Sequence, residues 1–140
     1  MSGPKTSRYT LTPEQRRILA EQRRIERRKA VASENINRNN KRLLQIGDMF
    51  SIQKQVSIEM LNRTGDDGGF TKKIEELEHI VTQTAPVTSE INMDDVDSLE
   101  NASEKVSEIL RQAENIASEL STIATQNEQN LRVNLNEAID

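Results

Sequence analysis

The sequence predicts an all-α protein made of long helices, with a C-terminal heptad segment of coiled-coil or helical-bundle type, a flexible N-terminal arm and a Gly-rich hinge. Three observations predict it. Apolar residues recur three and four positions apart along most of the 140 residues. Only 34% of residues are apolar and the aromatics are Tyr9, Phe50 and Phe70 alone, so a thick globular core has little to build on. Charged residues reach 30%, which suits long exposed helix faces. The same composition without periodicity would read as disorder.

Residues 1–11 read as an arm, because Gly3 and Pro4 oppose helix and the remaining residues are mostly polar. A basic helical region is expected over 12–62. Thr12-Pro13-Glu14-Gln15 opens it: Thr12 can cap, Pro13 suits the first helical position and Gln15 can close a capping box. Ile18, Ile25 and Ala32, then Ile36, Leu43 and Phe50, each repeat every seven residues. The intervening seam positions are Glu21, Arg28, Asn35 and Arg42, so the apolar stripe is narrow. Gly47-Asp48 is the expected break, with Asp48 capping a restart whose face is Met49, Ile52, Val56 and Met60.

The Gly/Asp stretch 63–70 predicts a hinge open to proteolysis. A short helix is expected over 71–85, capped by Thr71 and stopped by Pro86, and an acidic linker over 86–97. The last segment, 98–140, has the fullest pattern. Leu99, Ala102, Val106, Ile109, Ala113, Ile116, Leu120 and Ile123 alternate three and four apart. Beyond Ile123 a strict frame meets Asn127 and Asn130, whereas a four-residue step through Ala124 leads to Leu131, Leu135 and Ala138, as in a stutter. The pattern reaches Asp140 without a terminating Gly or Pro, as expected of a piece of a longer chain.

Charge is segregated. Residues 1–46 carry twelve basic and four acidic side chains, and residues 47–140 carry seven and nineteen, within a net charge of −4. Six arginines, Arg16, Arg17, Arg23, Arg24, Arg27 and Arg28, fall within the first turns of the basic helix. Clustered arginine can neutralise phosphates. Here Glu14, Glu21 and Glu26 are interleaved, no aromatic residue accompanies the arginines for stacking, and no zipper follows directly. A face complementary to the acidic half, in the same chain or a neighbour, is the favoured reading.

Catalytic chemistry finds little. His79 is the single histidine and there is no cysteine, so no triad, zinc site or disulfide is expected, and no cofactor. Residues 64–75 resemble a calcium loop only in part, since Thr64 and Gly68 stand where oxygen ligands are usual. There is no signal-like or membrane-length apolar run, and a cysteine-free chain fits the cytoplasm. The expectation is a non-enzymatic helical interaction protein, an adaptor, scaffold or assembly subunit. It would bind a protein partner or itself, with no membrane and no small-molecule substrate. Its hydrophobic seam would be Leu99, Val106, Ile109, Ile116, Leu120 and Ile123, and its basic face would be the six arginines. The alternative is a nucleic-acid-binding regulator that uses helix 14–46, with the C-terminal helix for oligomerisation.

Overall fold

The computed structural model describes residues 10–139, so residues 1–9 of the expected arm and Asp140 lie outside the described residues. The chain is all-α, as its periodicity requires, and no strand occurs among the described residues. Five helices follow in order: α1 (Pro13–Asp48), α2 (Ser51–Thr64), α3 (Phe70–Thr82), α4 (Thr84–Ser89) and α5 (Val96–Ile139). With only Met49 and Phe50 between them, α1 and α2 act as one bent helix of 52 residues.

The path is up, down and up. Arg28, Asn39 and Arg42 of α1 meet Glu100, Ser107 and Glu114 of α5 in the same order, so these two helices run parallel. α3 and α4 return between them. Near the start of α3, Lys73 pairs with Glu119, and past α4 Val87 and Ile91 pack on Leu99 and Ala102. The result is a three-layer helical bundle, the arrangement that a single apolar stripe on each helix can bury.

The start of α1 follows the sequence closely. The Thr12 hydroxyl accepts the Gln15 N–H at 3.1 Å, and the Gln15 side-chain oxygen accepts the Thr12 N–H at 2.9 Å. Pro13 occupies the first turn, where its missing N–H costs nothing. The break differs from expectation. Helix continues through Gly47 and Asp48, and the bend falls at Phe50, which caps α2 without any side-chain hydrogen bond. Phe50 is buried and meets Phe70 edge to face, with ring centroids 6.3 Å apart. Such a pair contributes about 0.5–1.5 kcal/mol beyond its area burial. Burying this ring, rather than a polar cap, sets the direction in which α2 leaves.

The inward face of α2 also differs. Ile52 is 72% exposed and Met49 is exposed, whereas Ser57 and Met60 are buried. The face turns inward around Ser57 because its hydroxyl donates to Asp67 at 2.7 Å. Thr71 does not cap α3, which begins one residue earlier at Phe70. Instead the Asp67 carboxylate accepts the Thr71 N–H at 2.9 Å and so does the capping. Nor does Pro86 end the helical path: it lies inside α4. It sits in that helix's first turn, where amide groups have no intrahelical acceptor. The expected linker therefore shrinks to 90–95, closed by Asn92 accepting the Asp94 N–H and by Asp95 accepting the Asp97 N–H.

One core joins Leu43, Ile46 and Phe50 to Phe70, Ile74, Leu77 and the α5 seam, and a smaller one joins Ala32 and Ile36 to Leu99 and Ala102. The alanines of α5, Ala102, Ala113, Ala117 and Ala124, are buried between larger seam residues. They let the neighbouring helices approach where aromatic and leucine side chains need room. Beyond Ile123 burial takes residues from both frames and then fades. Both Ala124 and Asn127 are buried, while Leu135 is exposed.

Candidate functional site

The six expected seam residues are turned toward the chain's own helices. Leu99, Val106, Ile109, Ile116 and Leu120 are buried, and Ile123 packs partly buried against the same core. A hydrophobic residue so covered has no free surface to offer a second molecule. The seam packs within the chain's own bundle.

The arginines are arranged quite differently. α5 begins at Val96, and the first α1 residue tied to it is Arg28, which pairs with Asp97 at 3.7 Å and with Glu100 in a two-armed contact. Residues 13–23 therefore project past the bundle, a length of roughly 16 Å at the helical rise of 1.5 Å per residue, and 24–27 lie at its rim. None of them is buried. Their hydrogen bonds and ion pairs stay within α1 among the described residues. Only the capping box and side-chain pairs such as Glu21–Arg24, 2.7 Å, support the helix there.

This projection has two faces. At about 100° per residue, Arg16, Arg17, Arg23, Arg24 and Arg27 fall within a sector of roughly 120°. Ile18 and Ile25 fall on the opposite side, in line with Ala32 and Ile36 of the buried stripe. Ile18 is 52% exposed and Ile25 is partly exposed. Glu14, Glu21 and Glu26, which are interleaved with the arginines in sequence, border the apolar stripe in space. Arg16, Arg17, Arg23 and Arg27 have no ion-pair partner among the described residues. Arg28 stands apart as the root: the hydrogen bond and charge of Glu100 hold it more firmly protonated, and it holds the Glu100 carboxyl below its ordinary value. A groove of about 530 Å³ at this root has Arg24 and Arg27 on one wall and Glu100 and Glu104 on the other, so it is electrically mixed.

Most of the α1 charge is thus not spent on the acidic half. The cross-bundle pairs are Arg28 with Asp97 and Glu100, Arg42 with Glu114 at 3.4 Å, Lys54 with Glu78 at 2.9 Å and Lys73 with Glu119 at 2.6 Å. They involve residues 28 and beyond. The intramolecular complement expected from charge segregation holds for Arg28 alone among the six arginines.

A second polar centre gave no sequence signal beyond two aspartates among glycines. Asp67 is buried. Its Oδ2 accepts the Ser57 hydroxyl at 2.7 Å, the Thr71 hydroxyl at 2.6 Å and the Thr71 N–H, and its Oδ1 accepts the Gly69 N–H at 3.0 Å. The buried Asn127 amide donates to the Asp67 carbonyl at 2.7 Å. Burial alone would raise the Asp67 pKa. The hydrogen bonds from Thr71, Ser57 and Gly69 outweigh it and bring the value down to about 2. Gly68 and Gly69 take positive φ angles of 67° and 86°, which lets the loop fold back over this carboxylate. The expected hinge is therefore a fastened corner joining α2, α3 and α5, and its acid groups serve backbone amides rather than a cation. Among the described residues no group of His, Asp and Glu is placed to hold a metal ion, and His79 is exposed on α3.

Comparison with protein-family models, with characterised proteins and with solved structures finds no match. Among the described residues no helix is long and apolar enough to cross a membrane.

Proposed function

We propose that this chain is a non-enzymatic helical interaction module, an adaptor or assembly subunit. Its bundle mounts the projecting part of α1 for a protein partner. The observation that carries the reading is the continuation of one stripe. Ile18 and Ile25 stand in line with Ala32, Ile36 and Leu43, yet only the last three are covered by the chain's own helices. A partner helix laid along Ile18 and Ile25 would extend the bundle by the geometry it already uses. Glu14, Glu21 and Glu26 border that stripe, so basic residues flanking the partner's apolar positions would set its orientation, as charge at an interface rim does. The cysteine-free composition fits a cytoplasmic setting.

The test uses a photo-reactive residue placed at Gln22, beside the stripe, or at Gln55, exposed on α2. Protein partners are expected to be trapped from Gln22 in cells and not from Gln55. The double variant Ile18→Asp, Ile25→Asp should lose the trapped partners and keep its melting temperature, because both residues lie outside the bundle. Equal trapping from both positions, or trapping unchanged in the double variant, would overturn the reading.

A further inference from the structure

We infer that the arginine face of the projecting helix binds the phosphate backbone of a nucleic-acid duplex, without reading its sequence. This is a second partner on the opposite side of the helix from the apolar stripe, and it does not depend on the stripe having one.

The face fits a polyanion better than a protein. A protein interface draws most of its affinity from a few buried aromatic or aliphatic anchors. Inside the sector of Arg16, Arg17, Arg23, Arg24 and Arg27 lie only Pro13 and Ala20; Leu19 stands at its edge, half-buried, and the exposed Val31 comes at the root, so no large exposed anchor stands among the arginines. What remains is charge, with four of the five guanidinium groups free of ion partners among the described residues. Arginine recognises phosphate in a planar, two-armed geometry. An anionic membrane offers phosphate too, but binding there leans on apolar side chains that enter the bilayer, and this face has none to insert.

The acidic bundle would repel a polyanion laid against it. Geometry answers that objection for the outer arginines. The residues of the bundle from 47 to 140 hold the excess of acid, while Arg16 and Arg17 stand roughly 18 Å along the helix from the root at Arg28. That is about twice the screening length at physiological ionic strength, about 8 Å. Arg16 and Arg17 thus stand where the bundle's field is largely screened, while Arg23, Arg24 and Arg27 lie within about one screening length of the root. A duplex is favoured over a single strand because affinity for single strands relies on stacking against aromatic side chains. Among the described residues the aromatics are Phe50 and Phe70, both buried in the core.

The experiment is a titration of the full-length protein against labelled duplex and single-stranded oligonucleotides of unrelated sequence, followed by fluorescence anisotropy. Binding to duplex is expected in the non-specific range, with Kd of about 10⁻⁴ to 10⁻⁶ M near physiological salt. With five phosphates contacted, affinity should fall roughly 500-fold between about 50 and about 200 mM salt, at about 0.9 counterions released per contact. The variant Arg16→Gln, Arg17→Gln, Arg23→Gln, Arg27→Gln should lose at least about tenfold at low salt, since each lost contact removes its share of the released counterions. The control Arg38→Gln, Arg63→Gln, whose arginines pair with Glu34 and Glu59, should lose little. Ile18→Asp with Ile25→Asp should leave duplex affinity in place, so this inference and the stripe reading fail separately. Circular dichroism checks that every variant keeps its helix. No duplex binding at about 50 mM salt, binding unaffected by the four-arginine change, or tighter binding to single strands would overturn it. So would binding to phosphatidylserine-containing vesicles, but not to duplex.

Discussion

Two lengths of the same helix, residues 13–27 and 28–48 of α1, carry the same seven-residue stripe and meet opposite fates. In the second length, Ala32, Ile36, Leu43 and Ile46 are buried against α3, α4 and α5. In the first, Ile18, exposed, and Ile25, partly exposed, continue the line outside both core clusters. The arginines divide at the same place. Arg28 and Arg42 bind carboxylates of α5, and Arg16, Arg17, Arg23 and Arg27 bind none among the described residues. Periodicity and charge therefore state only what a helix can bury or attract. Where its neighbours begin and end decides which of those capacities are used up within the fold.

The widest gap between the two lengths should appear on truncating their apolar residues. Leu43→Ala removes a buried side chain and is expected to cost about 2–5 kcal/mol. Ile18→Ala, the equivalent change on the projecting length, should stay within about 0.5 kcal/mol. Chemical denaturation followed by circular dichroism at 222 nm (the usual helix band) measures both, and a comparable loss at Ile18 would mean that the projecting length is packed within the monomer.

A smaller effect is expected at the corner that turns the chain back beside α5. Asp67 titrates at about 2, below the ordinary carboxylate value of 3.8. A lowered folded-state pKa contributes stability that is fully present above the unfolded value and is lost as pH falls through the folded one. The contribution is therefore intact above about pH 4 and disappears toward about pH 2, and it amounts to roughly 2 kcal/mol. Asp67→Asn should lose about this much at neutral pH and show a flatter acid-unfolding profile over that window. A variant as stable as the parent at pH 7 would show that the hydrogen bonds from Ser57 and Thr71 do not hold the corner.

The smallest effect is local and leaves global stability alone. Among the trypsin sites of the described residues, limited digestion should cut first between Arg16 and Lys29, where the backbone is held by helix hydrogen bonds only. Arg63, Lys72 and Lys73, which flank the glycine loop, should resist, because Asp67 and Asn127 fasten that loop. Sequencing the first fragments checks it. Early cleavage at Arg63 or Lys72, with Arg16 to Lys29 intact, would restore the hinge reading of 63–70.

The all-α class, the capping box at Thr12 and Gln15 and the seam from Leu99 to Ile123 were legible in residue order. Each is a local property: a capping hydroxyl reaches three residues on, and a 3.6-residue period shows itself within a few turns. Tertiary contact decided the rest. The seam was read as a surface for a partner, and it is buried because α1 and α3 arrive from far along the chain to cover it. Ser57, Asp67, Thr71 and Asn127 form one polar centre, although up to seventy positions separate them, and a single aspartate beside glycine looks the same whether exposed in a turn or buried under four donors. The bend at Phe50 likewise answers to neighbours rather than to propensity, which weighs less than about 1 kcal/mol per ordinary residue against several for a buried side chain, while Pro86 is accommodated because α4 opens two residues before it. The split of α1 follows from the same cause. Residue order wrote one continuous stripe and one arginine cluster, and only the place where α5 starts, at Val96, divided them into a part that holds the fold together and a part left facing outward.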